Sequence, residues 1–227
     1  MPRARLALEI GAKPGGPRPA MFALIRRDFE RYLELDGREG RRGIVEPLRI
    51  LCGTPGLHAM LVFRFGSWTR RAVRFAPLRM PLRLVYVVLE KLVVVVWGIH
   101  IHPLAQIGGG LYIGHSGGVL IGPVKMGADC NIAHQVTIGH RADGSSGVPV
   151  FGERVWVGVG SVIFGAIHVG DGVTIGPLTV VSRNLPPRVL VIGNPMRVLR
   201  KDYDNHLNIY GKSRAGSSPE RSPIDLR

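Results

Sequence analysis

The chain has 227 residues, of which 45% are hydrophobic and 7% aromatic, with 31 glycines and a formal net charge of +14. That length can build a core for one or two domains, and abundant glycine beside many Val and Ile points to short strands and repeated tight corners. The basic balance asks for an anionic partner, but no zinc-finger, RRM or basic-helix pattern accompanies it, which sets nucleic acid aside; Cys52 and Cys130 match no metal or disulfide spacing and fit a reducing cytoplasm.

Residues 1–20 have basic side chains but no continuous apolar run, so they read as a disordered extension rather than a signal peptide, and Met21 is an alternative start. Residues 21–98 read as a helical domain. Phe22, Ile25, Phe29 and Leu33 recur at helical spacing. After the break DGREGRRG, Thr54 is placed to cap a second helix, with Pro55 at its first position and Pro77 and Pro81 expected to end it. Residues 82–97, LRLVYVVLEKLVVVVW, form the most apolar segment. They are short for a membrane span and carry Glu90 and Lys91, so a helix buried against its neighbours is expected. The same Val-rich face, with arginines just before it, would also suit peripheral contact with an anionic leaflet.

From residue 99 the aliphatic period becomes six: Ile101, Ile107, Ile113 and Val119; then, after a one-residue slip, Met126, Ile132 and Ile138; then, after an interruption, Phe151, Val157, Ile163, Val169, Ile175 and Val181. Neither a helix nor a flat strand repeats every six residues. Six is the hexapeptide signature of a parallel β-helix, three hexads to a coil, which gives about four coils over residues 99–200. The aliphatic residue points inward, and glycine follows it at the corners. The interruption, residues 140–150, is polar and leaves the prism as a protruding loop of the kind that carries function. Residues 201–227 read as a disordered basic tail.

The ordered set TPGLHA, GIHIHPLAQIG, GHSGGVLIG, VTIG, loop, VGVGSVIFGAIHVG and GNPMRV resembles serine acetyltransferase and its relatives. The resemblance implies an α+β fold: a helical N-terminal domain followed by a left-handed parallel β-helix. It implies a homotrimer or a dimer of trimers with active sites between prisms, and acetyl-CoA as co-substrate. His115 falls on the family's catalytic base. An alcohol is a poor nucleophile until a base takes its proton, and imidazole is the side chain best suited to that near neutral pH. Backbone N–H groups at Gly117 and Gly118 could hold the oxyanion. For acetyl-CoA the resemblance points to Gly139, Gly158, Val159, Gly160, Gly176 and Pro177, with Arg197 and Arg200 suited to the nucleotide phosphates.

The chain departs from the family at the acceptor. His100 stands where an aspartate orients the catalytic histidine, and is a candidate assistant to His115. Gly114, Gly147 and Val148 replace the family's aspartate, arginine and histidine. A pocket rebuilt this way should hold a small zwitterion poorly. The expected acceptor is therefore a sugar or polysaccharide-precursor hydroxyl, with serine O-acetylation as the alternative. His100, His102, His134 and His140 raise a zinc-binding reading, but no metal is expected. His168 is read as an outward position and Cys130 as a small corner residue.

Overall fold

The computed structural model describes residues 21–36, 45–140 and 147–211. The expected extension 1–20, most of the loop 140–150 and the end of the expected tail lie outside the described residues.

Four helices come first: α1 (Met21–Asp36), α2 (Val45–Gly53), α3 (Pro55–Arg71) and α4 (Ala76–Trp97). Thr54 has the extended backbone of an N-cap without a side-chain cap bond, and Pro55 opens α3. The second pair of prolines does not end this helix. Pro77 lies in the first turn of α4, where its missing N–H costs nothing, and Pro81 lies within α4. Gly98, at φ 64°, closes α4 in the left-handed conformation and turns the chain into the first strand.

The prism then winds in coils of three short strands: β1 (Ile99–Ile101), β2 (Gln106–Ile107) and β3 (Tyr112–Ile113); β4 (Val119–Ile121), β5 (Lys125–Met126) and β6 (Asn131–Ile132). Next come β7 (Thr137–Gly139), β8 (Val150–Phe151) and β9 (Trp156–Val157), then β10 (Val162–Phe164), β11 (His168–Val169) and β12 (Thr174–Ile175). Every third strand stacks in parallel, forming three sheets, so the hexapeptide reading holds. The coil count does not. β13 (Val180–Val181), a bridge from Leu185 to Val169, and β14 (Leu190–Ile192) complete a fifth coil beyond the expected four. Pro186 and Pro187 fall inside that coil, on an edge position where a missing N–H is tolerated. β15 (Arg197–Arg200) then reverses and pairs antiparallel with β14.

The inward Ile, Val and Met side chains form one continuous core, which Ala59, Met60 and Phe63 of α3 extend beneath the first coil. Gly56 makes that approach possible: a Cβ there would meet the Ile113 carbonyl oxygen and the Tyr32 hydroxyl. The glycines that follow inward aliphatics mostly serve contact between coils. A Cβ on Gly127 would lie 2.6 Å from Gly152 backbone. The left-handed corner positions belong to other residues, among them Gln135, Gly160 and Leu178.

Two N-terminal helices are tied to the prism by buried arginines. Arg64 of α3 pairs with Asp28 of α1 at 2.8 Å and donates to the carbonyls of Ile107 and Gly108; Asp28 also accepts from the Gly110 N–H. Arg31 of α1 is wholly buried, donates to Asn131 and to the Ile209 carbonyl, and lies against the Tyr210 ring. Ile209 and Tyr210 belong to α5 (His206–Tyr210). Residues 201–211 are therefore not disordered tail: α5 docks on Asn131 and Arg31 and has Ile209 fully buried.

Candidate active site

The corner that carries His115 differs from its equivalents. Ile113 stands in register with Ile132, and Ile121 with both Ile101 and Ile138. Eight residues separate Ile113 from Ile121, against six from Ile132 to Ile138 and six from Val157 to Ile163. The in-register residue is thus Ile121 rather than Val119, although both are buried. The two extra residues sit in the stretch His115–Gly118. They form a bend that holds His115 at φ 64° and exposed. A non-glycine side chain in that region is uncommon and marks a backbone held by its surroundings.

Those surroundings are a ladder of main-chain bonds running up one edge of the prism. Gly117 N–H donates to the Trp97 carbonyl at 2.8 Å, Gln135 N–H to Gly117 at 2.9 Å, Gly160 N–H to His134 at 3.2 Å and Leu178 N–H to Val159 at 2.8 Å. The Gly117 N–H is therefore engaged and does not serve as the expected oxyanion donor. The same ladder places His115, His134, Val159–Gly160 and Pro177–Leu178 on successive coils of a single edge. At a spacing of about 4.8 Å per coil, the three steps between these positions span roughly 14 Å. Arg197 pairs with Ile192 at the far end of this edge, whereas Arg200 pairs with Leu190, at the opposite end of the last strand.

Two of the expected acetyl-CoA contacts are sealed. Gly158 and Gly176 are buried, their N–H groups donate to Ile175 and Val191, and a Cβ on either would strike the next coil. They permit close stacking. Val159, Gly160 and Pro177 are the residues of that set which this edge presents to solvent. Gly139 is half-buried, at the other end of its strand and next to the loop; a Cβ on it would meet nothing within 4 Å.

The structure brings to His115 a partner that the hexad count did not single out. The His134 ring lies edge-on to it, centroids 5.7 Å apart, and His134 Nδ1 is buried without a hydrogen-bond partner among the described residues. The signal was present: the two histidines are as far apart in sequence as Ile113 and Ile132, one coil. His100 is fixed elsewhere, its Nδ1 2.8 Å from the Glu90 carboxylate of α4. His102 lies near His100, Arg70 and His140; burial, then these charges, lowers its pKa. Among the described residues no three His, Cys, Asp or Glu side chains form a group that could hold a metal ion. His168 is exposed, as expected of an outward position. Cys130 is buried, and burial pushes its thiol up to about 12.

The substituted acceptor positions are built into the scaffold. Gly147, at φ 138°, packs so closely on Ala166 that a Cβ would lie 2.3 Å from that methyl, so an arginine cannot stand there without rebuilding the loop. Val148 packs against the prism core.

A serine acetyltransferase from Helicobacter pylori is 37% identical over 150 residues, 65% of this chain and 83% of that protein. This chain belongs to the serine acetyltransferase family. A further serine acetyltransferase, from Buchnera aphidicola, is 30% identical over 162 residues, 70% of this chain, and the chain spans only 59% of that relative's length. Among solved structures, soybean serine acetyltransferase complexed with serine is 28% identical with a TM-score of 0.65, covering 80% of this chain and 70% of that one. The Brucella abortus serine acetyltransferase in complex with coenzyme A is 25% identical with a TM-score of 0.66, covering 79% and 68%. No family model matches the chain. Enzymes of the serine acetyltransferase family move the acetyl group of acetyl-CoA onto a hydroxyl, the chemistry the sequence led us to expect. These relatives are serine acetyltransferases, and the sugar acceptor expected from the sequence finds no support among them.

Proposed function

We propose that this chain is an acetyl-CoA-dependent O-acetyltransferase whose acceptor is the hydroxyl of L-serine. The observation that carries the site is His115, exposed on a lengthened corner at the head of an edge whose accessible positions continue through Val159, Gly160 and Pro177 to Arg197. The relatives' serine acetyltransferase activity and the serine-bound soybean structure support this acceptor. A homotrimer, or a pair of trimers, would complete the cleft with a neighbouring flank.

His115 accepts the proton of the acceptor hydroxyl as its oxygen attacks the thioester carbonyl. Collapse of the tetrahedral intermediate breaks the C–S bond, and the leaving thiolate takes the proton back from the imidazolium. Arg197 is the cation placed for the nucleotide phosphates.

A second reading, a sugar or polysaccharide-precursor hydroxyl, rests on Gly114, Gly147 and Val148, three positions with no charged side chain to replace the hydration of serine's ammonium and carboxylate. Release of CoA from acetyl-CoA, followed with L-serine and a sugar panel side by side, separates the two. Saturable release with L-serine is expected; release with a sugar and none with serine selects the second reading. His115→Ala should lower turnover by about 10²–10⁴-fold with CoA binding retained. Undiminished turnover removes His115 from the base role.

A further inference from the structure

The sheet that begins with β1, β4 and β7 has two corners, and His115 stands at the one where the chain enters β4. At the corner where the chain leaves, the register of Ile101, Ile121 and Ile138 brings His102, Gly122 and Gly139 onto successive coils, with His140 next after Gly139. The His102 N–H donates to the Ile121 carbonyl at 2.7 Å and the Gly122 N–H to the Ile138 carbonyl at 2.8 Å, so these positions are stacked. Neither glycine brings a side chain to the space between the histidines, and a Cβ on Gly139 would meet nothing within 4 Å. The result is a notch two coils high, roughly 10 Å, with one imidazole at its lower end and one at its upper end.

The groups around the notch are donors. His102 Nδ1 accepts the Leu104 N–H at 3.2 Å, so the neutral ring carries its proton on Nε2 and that nitrogen donates. Arg70, in the last turn of α3, is exposed and makes no ion pair among the described residues; its guanidinium lies 5.9 Å from the centre of the Tyr86 ring. His100 has its Nδ1 2.8 Å from Glu90, and that carboxylate also meets Lys91 at 3.6 Å, so its charge is already engaged. Burial, then the charges of His100, Arg70 and His140, lowers the His102 pKa. Three groups that carry or can take up positive charge thus act on one imidazole. A metal cation does not suit this place, because Arg70 repels it and the His102 Nδ1 lone pair is in use.

We propose that this notch binds a small oxyanion, the phosphate or carboxylate group of a ligand, held by the His102 Nε2–H and the Arg70 guanidinium. Arginine presents a planar fork of donors that matches either group. An oxyanion with an N–H···O bond of about 2.9 Å on each side fits a gap of two coils. Its charge offsets the mutual repulsion of the cluster, and His100 and His140 add attraction once protonated. The notch lies across the sheet from His115, so it holds whichever hydroxyl the enzyme acetylates.

The test is NMR of the full chain, labelled at histidine and titrated with inorganic phosphate and, separately, with acetate. The His102 signal should move saturably, with a dissociation constant of about 1 mM for phosphate. Its titration midpoint should rise by about one pH unit when phosphate is bound. His102→Asn keeps an acceptor for the Leu104 N–H and removes the Nε2 donor, and Arg70→Ser removes the fork. Each should weaken phosphate binding about tenfold or more, read in the first variant from the His100 and His140 signals. Displacement of phosphate by L-serine makes the anion an acceptor's carboxylate, and phosphate that L-serine leaves in place makes it a free ion; both uphold the site. Circular dichroism confirms that each variant is folded, and the wild-type midpoint tests the proposal if one is not. A His102 signal that neither anion moves by about 50 mM, or phosphate binding unchanged in both folded variants, overturns the proposal. Neither readout needs turnover, so a failed acetyl-transfer assay leaves it standing.

Discussion

His134 stands on the coil next to His115, the base of the proposed transfer. Its ring stands edge-on to His115 and leaves Nδ1 buried without a partner among the described residues. A buried nitrogen with no partner costs free energy, so its place beside the base wants a compensating role. Holding the His115 ring at the angle the acceptor needs is such a role, since small misplacements of a catalytic group cost large factors in rate. His134→Ala should lower kcat by about tenfold while leaving KM for acetyl-CoA unchanged, because Val159, Gly160 and Arg197 stay in place. Steady-state kinetics beside a thermal melt checks this; a loss matched by a fall in melting temperature would make His134 structural. His115 is a candidate in the sequence through the motif that surrounds it, and the structure adds its exposure on a lengthened corner. That presentation was not legible in the sequence, because a count by sixes absorbs two extra corner residues as a slip elsewhere. The burial of Gly158 and Gly176 was hidden for a related reason: a glycine reads alike whether it opens a surface or lets two backbones close on each other.

Among the elements, the α3–α4 pair depends on one close approach. Gly66 lies under the Tyr86 ring, and a Cβ on it would come within 2.2 Å of that ring. Tyr86 is one of the few α4 side chains buried at all, so this contact holds the helix to the body. Gly66→Ala should destabilise the protein by about 1–3 kcal/mol, since overpacking outweighs the gain in helix propensity. A lowered urea midpoint measures it; an unchanged or raised midpoint would mean that Tyr86 swings away freely. The sequence made α4 helical and apolar correctly, yet it misjudged the burial. Hydrophobicity says that a face will leave water, and it does not say whether the cover lies within the same chain.

Across the whole molecule, buried arginines join what the chain order separates. The Asp28–Arg64 pair is all but inaccessible and links α1, α3 and the second corner of the first coil. Burial pushes the Asp28 carboxyl up from its ordinary value, against the lowering effect of Arg64 and the backbone N–H donors. Removing one partner leaves the other buried and charged, so Asp28→Ala should cost about 3–5 kcal/mol. Chemical denaturation with acetyl-CoA binding as a second readout tests this, and a cost below about 1 kcal/mol would show that water replaces the carboxylate. The prism was legible throughout its regular hexads. Its fifth coil was not, because four residues rather than six separate Val181 from Leu185 and two prolines follow. The reversed direction of β15 has a last consequence. A stack of parallel rungs is open to extension by any rung of the same sense, but on this face the final one runs backwards, and at the opposite pole α3 plugs the bore. Lengthening pole to pole is thereby discouraged, and a second molecule is left to approach from the side.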